Sequence, residues 1–180
     1  DDRFHRQPGQ RSPGRLGKFL EGLDEDLTLH VRQLAWLHAV PEPPPDLSRG
    51  QSPRVRDSRS RMQRLKADGV EPDLPPLPPG TEYLVRYLEQ LGFAQSNGSG
   101  ISPVSWTEVH AWRSLVGVEL APWEARLVRS LSMAYVDEKY QAEKPDRPMP
   151  WTPEAASGSE AAVVRVGREF MASMRALAET

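Results

Sequence analysis

Proline is what most constrains this chain. Twelve of its 18 prolines fall before residue 81, and five of those lie between Pro72 and Pro79. A proline fixes its own φ and has no N–H to give, so Glu71-Pro-Asp-Leu-Pro-Pro-Leu-Pro-Pro79 can be neither helix interior nor central strand. It reads as an extended, polyproline-like connector. Pro41-Glu-Pro-Pro-Pro45 and Lys144-Pro-Asp-Arg-Pro-Met-Pro150 are breaks of the same kind. The 180 residues therefore divide into an N-terminal segment (1–48) with one amphipathic helix, a basic arm and Pro-rich linker (49–80), a helical core unit (81–142), and a linker with a C-terminal helix (143–180).

Between the breaks the periodicity is helical. Phe19, Leu20, Leu23, Leu27, Val31, Leu34 and Leu37/His38 form one apolar stripe from about Lys18 to Val40. Gly22 weakens that helix by about 1 kcal/mol relative to Ala. From Arg49 to Lys66 there are seven bases and one acid, Asp57. Ser52 and Pro53 open a short helix there whose only apolar contacts are Met62 and Leu65, so a tethered basic helix or a disordered arm is expected. Arg54, Arg56, Arg59, Arg61, Arg64 and Lys66 are its candidate attachment residues.

The third piece carries the clearest local signals. Thr81 is placed as an N-cap before Tyr83, Leu84, Tyr87, Leu88 and Leu91, and Gly92 ends that helix. Phe93 to Gly100 has the composition of a flexible loop. Ser105-Trp-Thr-Glu108 is a capping-box sequence, with Val104 and Val109 at the positions of a hydrophobic staple. Gly117 closes that helix, and Pro122 opens the next at N1, with Glu124 in its first turn. Trp123, Leu127, Val128, Leu131, Ala134 and Tyr135 mark its buried face. Thr152 and Pro153 begin the last piece, whose main helix is expected over about Ser159 to Ala178, on Val163, Val166, Phe170, Met174 and Leu177. No alternating strand pattern is long enough to count. The expected fold is all-α: a small helical bundle, an αα-hairpin plus flanking helices, with extended Pro-rich connectors.

Composition removes most chemistry. With no cysteine there are no disulfides, thiolate metal sites or Cys nucleophiles. His30 and His38 stand eight residues apart, outside ligand spacing on a helix, and read as packing residues; His110 has no partner placed by sequence. The four acids between Glu21 and Asp26 lack the alternating ligands and central Gly of a calcium loop, and Asn97-Gly-Ser-Gly100 lacks the Lys-Ser/Thr and the preceding strand of a phosphate loop. No catalytic, cofactor or metal residue is nominated, and an enzyme is not expected. No run approaches the ~18 apolar residues of a membrane span, and no leader is visible, so a soluble, intracellular protein is expected. The first residue is Asp, which fits processing, truncation or a translational continuation.

Two binding readings compete. A helix, a Gly-containing turn and a second helix from Trp106 to Tyr140 have the outline of a helix-turn-helix. Yet Ser105 to Tyr140 carries four bases against five acids, the wrong balance for a phosphate-lined groove, and the whole chain has a net charge of −2. A nucleic-acid regulator working through residues 49–66 is therefore the alternative. Trp106, Trp112 and Trp123 fall within 18 residues, too many large rings for so small a unit to hide. With Tyr135 they are expected either to organise the core or to anchor a protein partner.

Those same residues carry a resemblance. Tyr83-Leu-Val-Arg-Tyr-Leu-Glu-Gln-Leu-Gly-Phe93, Pro103-Val-Ser-Trp-Thr-Glu-Val-His-Ala-Trp112 and the stretch from Leu120 to Tyr135 resemble the small helical tail proteins of long-tailed bacteriophages and prophages, described as tail assembly chaperones. The recurrent pattern falls on Ser105, Trp106, Glu108, Val109, Ala111, Trp112, Pro122, Trp123, Glu124, Leu127, Val128 and Arg129, and the likeness spans about Glu82 to Tyr140, a third of the chain. It implies a non-enzymatic, cofactor-free protein of the host cytoplasm. Its expected partner is the tape-measure protein, with tail-tube subunits as further candidates; self-association stays open, and no membrane is involved. A frameshift-type continuation would suit the absent Met. Long helical tape-measure proteins need their apolar stripes covered, and a helix-in-groove binder with an aromatic-lined surface suits that task.

Overall fold

The structure is a computed structural model, and it describes residues 15–42 and 57–153, with side chains from residue 22 onward. The Ser52-Pro53 start, Arg54, Arg56, the 159–178 helix and the side chains of Phe19 and Leu20 lie outside the described residues. Among the described residues, five helices and one two-stranded ribbon follow in order: α1 (Arg15–His38), α2 (Arg61–Ala67), α3 (Glu82–Gln90), β1 (Gln95–Ser96), β2 (Ile101–Ser102), α4 (Trp106–Val116) and α5 (Pro122–Gln141). The protein is a small all-α fold with a short antiparallel hairpin, Gln95 facing Ser102 and Ser96 facing Ile101.

One apolar cluster holds it together. Leu23, Leu27, Val31 and Ala35 of α1, Leu84, Val85 and Leu88 of α3, and Leu127, Val128, Leu131 and Tyr135 of α5 meet in it. α1 and α5 share the most extensive packing, so the N-terminal stripe finds its complement about a hundred residues downstream. Each such side chain, once removed from water, contributes roughly 1.5–3 kcal/mol.

The Pro-rich stretch 71–79 is extended, as proline demands, and it is docked. Pro75 and Pro78 are buried, and Leu77 packs on the core cluster. His30 Nδ1 lies 2.6 Å from the Pro75 carbonyl, and the Gln33 side-chain amide donates to the Asp73 carbonyl at 3.3 Å. The Gln33 oxygen accepts from Trp151 N–H at 3.3 Å, so one buried amide pins two proline-rich segments to α1.

Local signals at the helix ends were met unevenly. Ser105 caps α4 by accepting from Glu108 N–H at 3.2 Å, and Val104 and Val109 are both buried. Glu108 does not reach back to the cap amide; its Oε2 is buried without a partner among the described residues. Carboxylate return occurs instead at α5, where Glu124 accepts from Ala121 N–H at 2.7 Å. Thr81 makes no side-chain cap: its hydroxyl turns back to donate to the Pro78 carbonyl at 2.6 Å, closing the turn out of the proline strap. α2 begins at a reciprocal box in which Ser60 Oγ accepts from Gln63 N–H and Gln63 accepts from Ser60 N–H.

The loop after α3 is more ordered than its composition suggests. Gly92 (φ +79°) lets its N–H bond Glu89 and lets Phe93 N–H reach Leu88, which satisfies the last carbonyls of the helix. Phe93 itself takes φ +63°, unusual for a bulky residue, and is held there by stacking on Tyr135 with ring centroids 4.8 Å apart.

Candidate functional site

The four aromatic residues singled out by sequence have four different environments. Tyr135 belongs to the interior: it is 4% exposed, stacked on Phe93, with its hydroxyl 2.9 Å from His38 Nδ1, and burial pushes that hydroxyl up to about 12. Of the two roles expected for Tyr135, this placement fits the core-organising one. Trp123 is half-buried against the core cluster. Trp112 lies half-exposed on Tyr87 at 4.9 Å between centroids and donates its indole N–H to Gln90 at 3.2 Å. Tyr87 meets Tyr83 edge-on at 5.4 Å, and the Tyr83 hydroxyl donates to Glu124 at 2.5 Å. Trp106 alone of the four is open, at 51% exposure.

Trp106 and Trp112 are six residues apart, which at 3.6 residues per turn puts them on different flanks of α4. Trp112 faces α3. Trp106 faces α5, where the Arg129 guanidinium sits over its ring at 5.4 Å. Arg129 Nη1 lies 3.6 Å from Met133 Sδ, while its Nε–H has no partner among the described residues. Trp106, Arg129 and Met133 thus make one outward cluster: an aromatic ring, a cation and an exposed thioether.

The rest of α4 is unusually bare. Only Val109 is buried, and eight of its eleven residues are exposed. Leu115 is 87% exposed and Val116 48%. A capped, stapled helix that buries one side chain leaves apolar residues open to water on more than one side. Sequence reading missed Leu115, Val116, Met133 and Arg129 as members of this surface. The available signal was that Leu115 lies six residues from Val109, the one buried residue of α4, and so on another side of the helix.

The basic arm is only partly a surface. Arg61 is 8% exposed; it stacks on Trp36 at 4.5 Å from the ring and donates to the carbonyls of Trp36 (3.3 Å), Ala142 (2.5 Å) and Lys144 (3.1 Å). Its charge joins the ends of α1 and α5 and does not project outward, which corrects its place among the attachment residues. Arg59 and Arg64 both face Asp57, at 2.9 and 3.3 Å, and hydrogen bonds from Arg59 hold the Asp57 carboxyl down to about 2. Lys66 is exposed.

A second polar assembly lies beside Arg61. Glu138 is 2% exposed and receives Arg32 at 2.8 and 2.9 Å and both arms of Arg147 at 2.8 Å. Burial pushes its carboxyl up, but the hydrogen bonds from Arg147 and Arg32 outweigh burial and leave it below the ordinary value. Trp36 donates its indole N–H to the Arg147 carbonyl at 3.0 Å, which closes the clasp. His30 and His38 are structural members of α1; burial lowers both, with Lys139 adding to the effect at His38. Among the described residues no group of three or more His, Asp and Glu side chains is placed to hold a metal ion, and no helix is long and apolar enough to cross a membrane.

No curated protein and no solved structure matches the chain. Residues 61–137, from the first residue of α2 through most of α5, match the phage tail assembly chaperone family. That stretch contains the strap, the hairpin, the exposed residues of α4 and Arg129, and over it the chain is similar to the phage tail assembly chaperones.

Proposed function

We propose that the chain is a non-enzymatic tail assembly chaperone that holds an apolar, helical stretch of the tape-measure protein, with tail-tube subunits as a second client, in the host cytoplasm. The observation that carries this reading is how much apolar surface α4 leaves open: Trp106, on the side toward α5, and Leu115 and Val116, at its end, are exposed on a helix fixed at its start by cap and staple. A rigid helix with apolar side chains left open to water is what a partner helix packs against. Arg129, set on Trp106 and without a carboxylate partner among the described residues, favours a client segment bearing an acid beside its apolar stripe. The nucleic-acid reading has less support, because Arg61 is turned inward and Arg59 and Arg64 share Asp57.

Co-expression with the tape-measure protein of the same phage, followed by capture of the complex, tests the proposal. Trp106→Ala and Leu115→Asp should each weaken capture, the former by roughly 2 kcal/mol or more if Trp106 is an anchor. Both should leave the helical circular-dichroism signal and the unfolding midpoint near those of the parent. Equal capture by both folded variants overturns the assignment of this surface. Trp123→Ala is the wrong probe, since that ring supports the core.

A further inference from the structure

The hairpin between α3 and α4 turns on Asn97-Gly98-Ser99-Gly100, and three of those four residues, Asn97 to Ser99, are exposed. Asn97 N–H donates to the Gly100 carbonyl at 3.1 Å, closing the loop. The Asn97 side-chain oxygen accepts from both Ser99 N–H and Ser99 Oγ, each at 3.2 Å, which folds the side chain forward over the following peptide. The Gly98 N–H makes no hydrogen bond among the described residues, and nothing lies within 4 Å of where a Cβ of Gly98 would stand.

We propose that Asn97 is a site of spontaneous backbone-assisted deamidation, which gives this protein a built-in, one-way modification of its hairpin. The Gly98 nitrogen attacks Asn97 Cγ; the new C–N bond closes a five-membered succinimide, the Cγ–NH2 bond breaks, and ammonia leaves with the proton from Gly98 N–H. Water then opens the ring. Opening at Cγ gives an aspartyl residue, and opening at the main-chain carbonyl gives an isoaspartyl linkage. No redox change occurs, and water is the only co-reactant. Three features of the loop promote the step. The nucleophilic amide is free of competing acceptors, a glycine offers no side chain to crowd the ring, and the two Ser99 donors lie on the oxygen where negative charge develops during attack.

The consequence is local and directional. Either product adds a negative charge to the loop. The isoaspartyl form also lengthens the main chain by one methylene between strands that are only two residues long, which is incompatible with the Asn97–Gly100 closure. That closure sits beside the anchor of β2, where the Tyr140 hydroxyl accepts from Ile101 N–H and donates to the Ile101 carbonyl, both at 2.9 Å.

The test is to hold the intact, folded chain at mildly alkaline pH and body temperature, and to follow the tryptic peptide from Tyr87 to Arg113 by chromatography and mass spectrometry. The expected result is progressive conversion into two later forms carrying the mass of an amide-to-acid exchange, the isoaspartyl form predominating. Conversion should be at least as fast as in a synthetic peptide of the same sequence. Asn97→Gln, whose closure to a six-membered glutarimide is far slower, should stay unconverted, and the Ile101 amide should lose hydrogen-exchange protection in the isoaspartyl form. An Asn97 amide that persists in the folded chain while the synthetic peptide converts overturns the proposal, because the folded loop would then be protective. Equal conversion of Asn97→Gln overturns it too, since the reaction would lie elsewhere in the peptide.

Discussion

At the scale of single residues, Glu138 shows how much one buried charge can be asked to hold. Its carboxylate is 1% exposed, while Arg32 and Arg147 keep 41% and 28% of their side-chain surface. Removing one partner of a fully buried pair costs about 3–5 kcal/mol, because the other charge is stranded. Here the stranded partners retain water, so Glu138→Gln should cost less, about 2 kcal/mol, read as a lower urea midpoint with unchanged slope. Acid should remove stability in two stages. The folded values of His30 and His38 lie below their ordinary 6.5, so their contribution is complete above that pH and is lost as pH falls through the lower folded values. Glu138 also lies below its ordinary 4.5, so its contribution persists to more acidic conditions and is lost only as pH falls through its own depressed value. Urea midpoints across a pH series should show both stages in the parent and a smaller acidic stage in Glu138→Gln, the remainder including the Asp57 contribution.

At the scale of elements, the hairpin and α4 depend on one hydroxyl. Ser132 is fully buried on α5; it accepts from Val104 N–H at 2.9 Å and donates to the Phe93 carbonyl at 2.6 Å, one bond on each side of the ribbon. Ser132→Ala orphans a buried donor, Val104 N–H, and a part-buried acceptor, the Phe93 carbonyl, together. It should cost about 1–3 kcal/mol and raise hydrogen exchange through residues 93–104 before the helices open. By comparison, Ser105→Ala should cost about 1 kcal/mol and fray only the start of α4. These two serines also mark what was legible in the sequence. Ser105 and the Val104/Val109 staple act within a few residues, so spacing alone revealed them. Ser132 looks unremarkable on its helix, because its partners are 28 and 39 residues away. For the same reason the loop at 93–100 read as flexible: its order comes from Tyr135 stacking on Phe93 and from Tyr140 holding Ile101. The proline strap was legible as extended, but its docking was not, since His30 and Gln33 meet it 45 and 40 residues away. The exposed surface of α4 was half legible. The tryptophans were flagged, but only packing could separate Trp106, left open, from Tyr135, enclosed.

At the scale of the whole molecule, the family match and the folded unit have different limits. The match covers residues 61–137 and so omits α1, Glu138 and Arg147. Yet α1 supplies Leu23, Leu27, Val31 and Ala35 to the shared core, and Arg61, the first matched residue, donates to carbonyls of Trp36, Ala142 and Lys144, all outside the matched range. A chain of 61–137 alone would expose the apolar faces of α3 and α5 that α1 covers, and would leave the Arg61 guanidinium without its three acceptors. A piece of that size buries only about 60% of its unfolded surface even when complete, so it has little stability to spare. Residues 61–137 expressed alone should therefore retain partial helicity while binding a hydrophobic dye and lacking a cooperative urea transition. Residues 15–153 should unfold in one sharp step. Dye binding and denaturation curves on the two chains decide the matter: a cooperative, dye-free 61–137 fragment would mean that α1 is an accessory to a self-sufficient family unit. If the fragment behaves as expected, α1 is an integral wall of the fold. The open surface of α4 is then presented by a scaffold drawn from both sides of the matched stretch.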